Sequence, residues 1–323
     1  MKTSLLFLIL FALPATCLPQ QKDTLIQKND SLNNKLDSTT HEINNIDAKE
    51  FKLKKITFRS YFTLLADDFK QQLTAPFHTN KKGWMQVAKF GLLFTAVSFA
   101  DKPVNHYSLN LRNNNPAIGP ISGYITRFGG DYERYTLLAL GTYSFIFKNE
   151  KLKTTTLLAS QAYITSAVIE RLVKLLTGRQ RPAYIDPETD KNAPTFHGPF
   201  FHFKKDENGN RYPNESHSAF PSGHTTVAYS VATVFAMEYG ETPIVGIISY
   251  STATLIGISR LIENKHWLTD VLTGAALGYL CGKQVVNNYR RYAKIEPQEK
   301  KASISFNVKY FHGKLLPGFI YRF

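Results

Sequence analysis

Apolar residues gather in six runs, at 90–100, 135–147, 154–169, 225–237, 243–259 and 271–282. Charged residues or Pro- and Gly-containing turns separate them. The runs are rich in Leu, Ala and Thr, and their lengths suit helices better than strands. The pattern predicts an all-α fold, a helical bundle of about six core helices. The tail follows a different period. Ile304, Phe306, Val308 and Tyr310 alternate with polar residues, as do Phe319, Tyr321 and Phe323, and His312-Gly313-Lys314 can turn between them. That alternation predicts a short C-terminal strand pair.

Ahead of the runs, Lys2, the apolar stretch Leu5 to Leu13 and the segment Pro14-Ala15-Thr16-Cys17 have the three-part pattern of a signal peptide over residues 1–19. Cys17 also admits a lipid-bearing role, although Thr16 before it fits that rule poorly. Residues 20–55 read as a polar linker, with too little apolar surface to repay ordering. The helical domain is expected over 56–290, with its signature region at 174–270, and the strand-bearing tail over 291–323. Cys281 is the other cysteine, so a cleaved chain would hold no internal disulfide.

A bilayer span needs about 18–20 largely uncharged residues. Lys89 and Asp101 bracket the first run, and Arg134 and Lys148 the second. Only 243–259 approaches the required length, and the mean hydropathy is −0.23. The expectation is therefore buried helices in an exported, periplasmic domain of the bacterial cell envelope. Tilted or paired short spans, and with them membrane association, stay open.

Lys and Arg number 39 against 25 Asp and Glu, a formal charge of +14. That balance favours an anionic partner. No zinc-finger spacing, basic heptad or RNA-binding signature accompanies it, so nucleic acid is not expected.

Three clusters carry candidate chemistry. Lys174 and Arg181 are seven residues apart, nearly two helical turns, which would place both cations on one face of a helix ending at Pro182. Such a pair suits a phosphate, though alone it is also the pattern of a solvated face. Pro221-Ser222-Gly223-His224 opens an apolar helical run. Its free amides, the Ser222 hydroxyl and the close approach allowed by Gly223 form an anion site, with His224 placed as a general acid. Alone, Ser222 could simply cap the helix. In Ser259-Arg260, His266 and Asp270, the last two are one turn apart. A carboxylate bonded to one ring nitrogen would leave the other free to attack. The same spacing also fits an ordinary surface pair. Glu263-Asn264-Lys265 would break the helix and bring Arg260 back to the site.

Taken together, the clusters supply a phosphoryl transfer. Lys174, Arg181 and Arg260 clamp the oxygens, Ser222 and Gly223 complete the cradle, His266 attacks and His224 serves the leaving group. The cations replace a metal, so neither metal nor cofactor is expected. The long segment 183–219 carries Tyr184, Phe196, Phe200, Phe201 and Phe203 and is expected to cover the site and help select the substrate.

The ordered set Lys174…Arg181-Pro182, Pro221-Ser222-Gly223-His224 and Ser259-Arg260…His266…Asp270 resembles the three-part signature of the type 2 phosphatidic acid phosphatase and vanadium haloperoxidase superfamily, over roughly residues 85–287. The resemblance implies a helical bundle, a phosphohistidine on His266 and a metal-independent phosphatase acting on a phosphomonoester or pyrophosphate. The substrate would be a phosphorylated small molecule or lipid. Two alternatives stay open: a vanadate-dependent haloperoxidase, and a non-catalytic phosphate- or lipid-binding envelope protein.

Overall fold

The computed structural model describes residues 55–185, 195–205, 209–213, 215–293, 303–311 and 314–322. The segments expected to be a signal peptide and a polar linker lie outside the described residues, Lys55 apart.

Nine α-helices occur among the described residues. They are α1 (Phe58–His78), α2 (Lys81–Ser98), α3 (Asp101–Asn114), α4 (Ile118–Phe128), α5 (Asp131–Ile146), α6 (Glu150–Thr177), α7 (Gly223–Glu238), α8 (Pro243–Ile262) and α9 (Leu268–Tyr292). All six apolar runs fall on helices, in α2, α5, α6, α7, α8 and α9. The other three helices lie outside those runs. α1 buries only Ser60, Leu64 and Asp68, and α3 only Asp101 and Ser108. α4 contains Gly119-Pro120 in its first turn, a sequence that reads as a turn.

Helix ends follow local chemistry. Thr57 and Ser60 form a capping box at the start of α1. The side chains of Asn80 and Asn149 accept backbone N–H bonds from Gly83 and Leu152, capping α2 and α6. Pro243 opens α8 at the position where a missing N–H costs nothing.

α7 packs against α6, α8 and α9. Its contact with α9 is backbone to backbone. A Cβ at Gly274, Gly278 or Gly282 would stand 2.7, 2.2 or 2.4 Å from the carbonyls of Ser222, Thr226 and Ser230. Glycine at every fourth position of α9 therefore leaves the groove in which α7 lies. The seams are also hydroxylated. Thr154, Thr155, Thr156, Thr165, Ser166, Thr225, Thr226, Ser230 and Thr233 are all buried. Many return their hydroxyl to a carbonyl one turn back, such as Thr156 to Leu152 and Thr233 to Tyr229.

The outward surface is apolar by contrast. α5 exposes Leu138, Phe145 and Ile146, α2 exposes Leu92, and α8 exposes Ile244 and Ile248. α8 is, among the described residues, the helix long and apolar enough to cross a membrane, and only a third of its apolar window is buried. The expectation of buried helices fails for these faces.

The helical unit runs from Leu53 to Ala293, and the tail belongs to a separate unit. Within the tail, β1 (Ser303–Phe311) and β2 (Lys314–Arg322) run antiparallel, from Ser303 opposite Arg322 to Phe311 opposite Lys314.

Candidate active site

Lys174 lies in the last turn of α6, with Nζ 3.1 Å from Glu170 Oε2, one turn back. The helix does not continue to Pro182. Gly178 ends it at φ 52°, and its amide donates to Lys174 O. A side chain there is doubly excluded, because a Cβ would also stand 2.5 Å from Gly198 O. Arg181 therefore projects from an extended segment, which corrects the expectation that both cations share one helix. Its amide donates to Ser216 O, and its guanidinium donates to Glu215 Oε2 at 2.8 Å and Ser218 Oγ at 3.2 Å.

The described parts of the covering segment are stitched to this strand-like stretch. The amides of Gln180, His197, Gly198 and Ala219 donate to Thr195, Gly178, Thr177 and Arg179 carbonyls. Phe201 sits within 4.5–5.3 Å of the rings of His197, Tyr212 and His217. These aromatics hold the segment against the end of α6.

Ser222 is the N-cap of α7, yet its side chain makes no capping bond. Its Oγ accepts from Thr225 Oγ1 at 2.9 Å, and its amide donates to Asp270 O. The Ser222 hydroxyl proton is thus left for another acceptor. At Gly223 a Cβ would meet Glu170 Oε1 at 2.6 Å and Lys174 Nζ at 3.2 Å. Only glycine lets the α7 amides approach the lysine so closely. His224 follows, facing the Gly129-Gly130 turn between α4 and α5. A Cβ on Gly130 would lie 3.3 Å from His224 Nε2.

α8 ends at Ile262, and Asn264 turns the chain at φ 58°. Asn105 Nδ2 donates to Asn264 Oδ1 at 2.6 Å, tying that turn to α3. The break expected at Glu263-Asn264-Lys265 is present. Arg260 is buried in the last turn and donates to Glu263 Oε2 at 2.6 Å.

His266 precedes α9 rather than riding on it. Its Nδ1 is 2.7 Å from Ala219 O and 3.7 Å from Asp270 Oδ2. The backbone carbonyl therefore holds the ring, and the expected direct bond from Asp270 is replaced. Asp270 is otherwise engaged: Oδ2 accepts from Trp267 N at 2.7 Å, and Oδ1 accepts from Arg179 Nη1 at 2.5 Å. With Nδ1–H given to Ala219, Nε2 carries the lone pair.

Lys174, Arg181 and Arg260 come from three separate segments, and each acts electrostatically on both His224 and His266. Their side chains are 17%, 9% and 8% exposed. Burial, then Arg260, Arg181 and Lys174, hold the His266 imidazole well below its ordinary range, against the Ala219 bond, which raises it. The ring is neutral at neutral pH. Such an arrangement can bind a polyanion beside an unprotonated imidazole nitrogen.

Several partners were not read from the sequence. Glu170, Glu215 and Glu263 each pair with one cradle cation. Asp101 and Arg179 stand behind Asp270. The Glu170–Lys174 and Arg260–Glu263 spacings, one helical turn each, were a usable signal. Nothing local linked Asp101 to Arg179, which lie 78 residues apart.

Comparisons with known proteins fit this geometry. The PAP2 superfamily model matches residues 154–293. A lipid A 1-phosphatase of Porphyromonas gingivalis is 46% identical over 67 residues, 20% of this chain and 15% of that protein. Phosphatidylglycerophosphatase B of Bacillus subtilis is 39% identical over 75 residues, 21% of this chain and 37% of that protein. The chain thus spans well under half the length of these relatives. Among solved structures, a transmembrane PAP2-type phosphatidylglycerolphosphate phosphatase of Bacillus subtilis is 22% identical, with a TM-score of 0.43, covering 74% of this chain and 98% of that one. Aquifex aeolicus LpxE is also 22% identical, at a TM-score of 0.40, covering 58% and 94%. The residues that match the PAP2 superfamily model, 154–293, contain the three cations, both histidines, Ser222, Gly223 and Asp270.

Proposed function

We propose that the protein is a phosphatase acting on a lipid phosphate at a membrane of the cell envelope, by a metal-independent route through phosphohistidine. The observation that carries this reading is the His266 ring, buried and tied through Nδ1 to Ala219 O, in the field of three cations. Nε of Arg181 and Arg260, like that of Arg179, is buried and finds no acceptor among the described residues.

In the first step the Nε2 lone pair of His266 forms a bond to phosphorus as the bond to the leaving oxygen breaks. Lys174, Arg181 and Arg260 neutralise the phosphoryl oxygens, helped by the Ser222 hydroxyl and the first amides of α7. His224 gives its proton to the leaving oxygen. Burial first, then Arg260, Lys174 and Arg181, push the His224 imidazole down to about 3, and a bound phosphate dianion would offset the cations, so its protonation is tied to substrate binding. Water, deprotonated by His224, then attacks phosphorus and releases inorganic phosphate and free His266.

The lipid reading rests on the surface. The outward apolar faces of α2, α5 and α8 suit a bilayer, with α8 as a span. The relatives named above are lipid phosphatases by name. Export by the segment 1–19 and the role of the covering segment in substrate choice belong to the same proposal.

Phosphate release in EDTA tests the reading. Phosphatidic acid, phosphatidylglycerol phosphate, a polyprenyl diphosphate and lipid A phosphate would be presented in mixed micelles beside p-nitrophenyl phosphate. Turnover that survives EDTA and vanishes in His266→Ala is expected. Activity unchanged in that variant would remove His266 as the nucleophile. Recovery of the protein in carbonate-washed membranes, released only by detergent, is expected of the embedded surface.

A further inference from the structure

Behind His266 lies a second, fully buried ionic cluster. Asp101 opens α3, Arg179 sits just past α6, and Thr269 and Asp270 lie in the first turn of α9. Arg179 is 4% exposed, Asp101 5%, and Thr269 and Asp270 0%. Arg179 Nη2 donates to Asp101 Oδ2 at 2.7 Å, and Nη1 donates to Asp270 Oδ1 at 2.5 Å and Thr269 Oγ1 at 2.7 Å. Asp101 in turn accepts the Thr269 amide at 2.9 Å and its hydroxyl at 2.6 Å. The guanidinium is flanked by the rings of Phe196 at 4.6 Å and Trp267 at 5.6 Å.

We propose that Asp101 and Arg179 are positioning residues of the reaction, which hold the α9 start behind His266 and set the charge of the carboxylate beside its ring. The inference rests on the phosphohistidine reading above. Its physical basis is a count of charges. Burial pushes the Asp270 carboxyl up to about 7, with Arg179 and the Trp267 amide opposing the rise, so once Asp270 is ionised the set of Asp101, Arg179 and Asp270 carries one net negative charge, 3.7 Å from Nδ1 at its nearest oxygen. When Nε2 bonds to phosphorus, the ring gains positive character, and that net charge stabilises it. A lone Asp270 would carry the same charge, but only the Trp267 amide would fix its orientation. Arg179 alone would cancel it, and Asp101 restores it.

The charged groups that act on His266 are Lys174 on α6, Arg181 on the segment after it and Arg260 on α8, with Asp270 on α9 at 3.7 Å. Glu170, Glu215 and Glu263 lie beyond the three cradle cations. The Asp101–Arg179–Asp270 set approaches the ring at Nδ1, the nitrogen opposite the one proposed to attack.

Two variants move this charge in opposite directions. Asp101→Asn leaves the set neutral, so a proton on His266 is less favoured and the acid limb of the pH–kcat profile moves to lower pH. Arg179→Gln leaves two carboxylates, so the limb moves to higher pH. Each is expected to lower kcat about tenfold, in the range for partners that orient a reacting group, with KM for p-nitrophenyl phosphate nearly unchanged. Arg179→Lys should recover part of the loss.

The full chain in detergent would be assayed with p-nitrophenyl phosphate and with phosphatidic acid in mixed micelles. The His266 ring would also be titrated by carbon-13 NMR, assigned with His266→Ala. The titration needs no turnover. A silent wild type would overturn the phosphatase reading, and an active His266→Ala the nucleophile assignment, while the opposite ring shifts still judged the cluster. Shifts of the same sign in both variants, or an unchanged kcat and titration, would overturn the positioning role. If thermal melting shows that Arg179→Gln does not fold, Asp101→Asn, nearly isosteric, decides alone by the presence or absence of its downward shift.

Discussion

Two clusters in this molecule pair cationic side chains with carboxylates, and they are built differently. In the cradle, Lys174, Arg181 and Arg260 each meet a single carboxylate, and Glu215 is 60% exposed. Behind His266, Arg179 is gripped by two carboxylates and a hydroxyl, all buried. A cation with one partner can exchange it for an incoming phosphate. A cation locked by two buried partners cannot, because removing either would strand a charge. The first cluster is arranged to bind and the second to hold.

The largest expected effect breaks the cradle itself. His224→Ala should lower kcat on lipid phosphates by about 10²–10⁴, the usual worth of a positioned acid. The loss should shrink for p-nitrophenyl phosphate, whose leaving group needs no proton. An equal loss on both substrates would remove His224 from the leaving-group role.

Arg260→Ala should follow, at about 10²–10³ in kcat/KM, the range for one lost transition-state donor. Arg260→Lys should restore part of it, since charge survives but the two-pronged geometry does not. If the alanine variant instead resembled Arg179→Gln, with KM unchanged, the division between binding and holding would fail.

Gly223→Ala tests how closely the helix start must approach Lys174. The added methyl would stand 2.6 Å from Glu170 Oε1, so either Glu170 swings away or α7 retreats. Phosphate release should fall about tenfold or more, with a loss of stability of about 1–3 kcal/mol, seen as a lowered melting temperature. An unaltered enzyme would show the approach to be slack.

Glu215→Gln should have the smallest effect, and of the opposite sign. Releasing an exposed carboxylate from Arg181 should lower KM about threefold, in keeping with the small worth of an exposed ion pair, and the gain should fade at high salt. A raised KM would mean that Glu215 steadies Arg181 rather than competing with the substrate.

Much of the site was legible because the chemistry is local. Pro221-Ser222-Gly223-His224 names a helix start whatever surrounds it, and Asn264 marks the break that turns Arg260 inward. Spacing misled where a single glycine intervened. The seven residues from Lys174 to Arg181 fit two helical turns, but Gly178 ends α6 in a conformation that the arithmetic of a continuous helix does not contain. The His266–Asp270 spacing misled for a similar reason, since α9 starts only at Leu268 and Ala219 supplies the ring's acceptor from 47 residues away. The nearest aspartate in sequence is not the nearest acceptor in space.

The sequence by itself determined the helical class and six of the nine described helices, and it named the residues proposed to react. Hydrophobic period, turn residues and short motifs are properties of adjacent positions, and they need no partner to be read. The tertiary structure decided which groups those residues meet. It joined Asp101 to Arg179 and Ala219 to His266, placed Gly129-Gly130 against His224, and turned hydroxyls inward on α6 and α7 and apolar side chains outward on α5 and α8. Those pairings join segments far apart in the chain, and a carboxylate or a carbonyl carries no local mark of the donor that folding will bring to it.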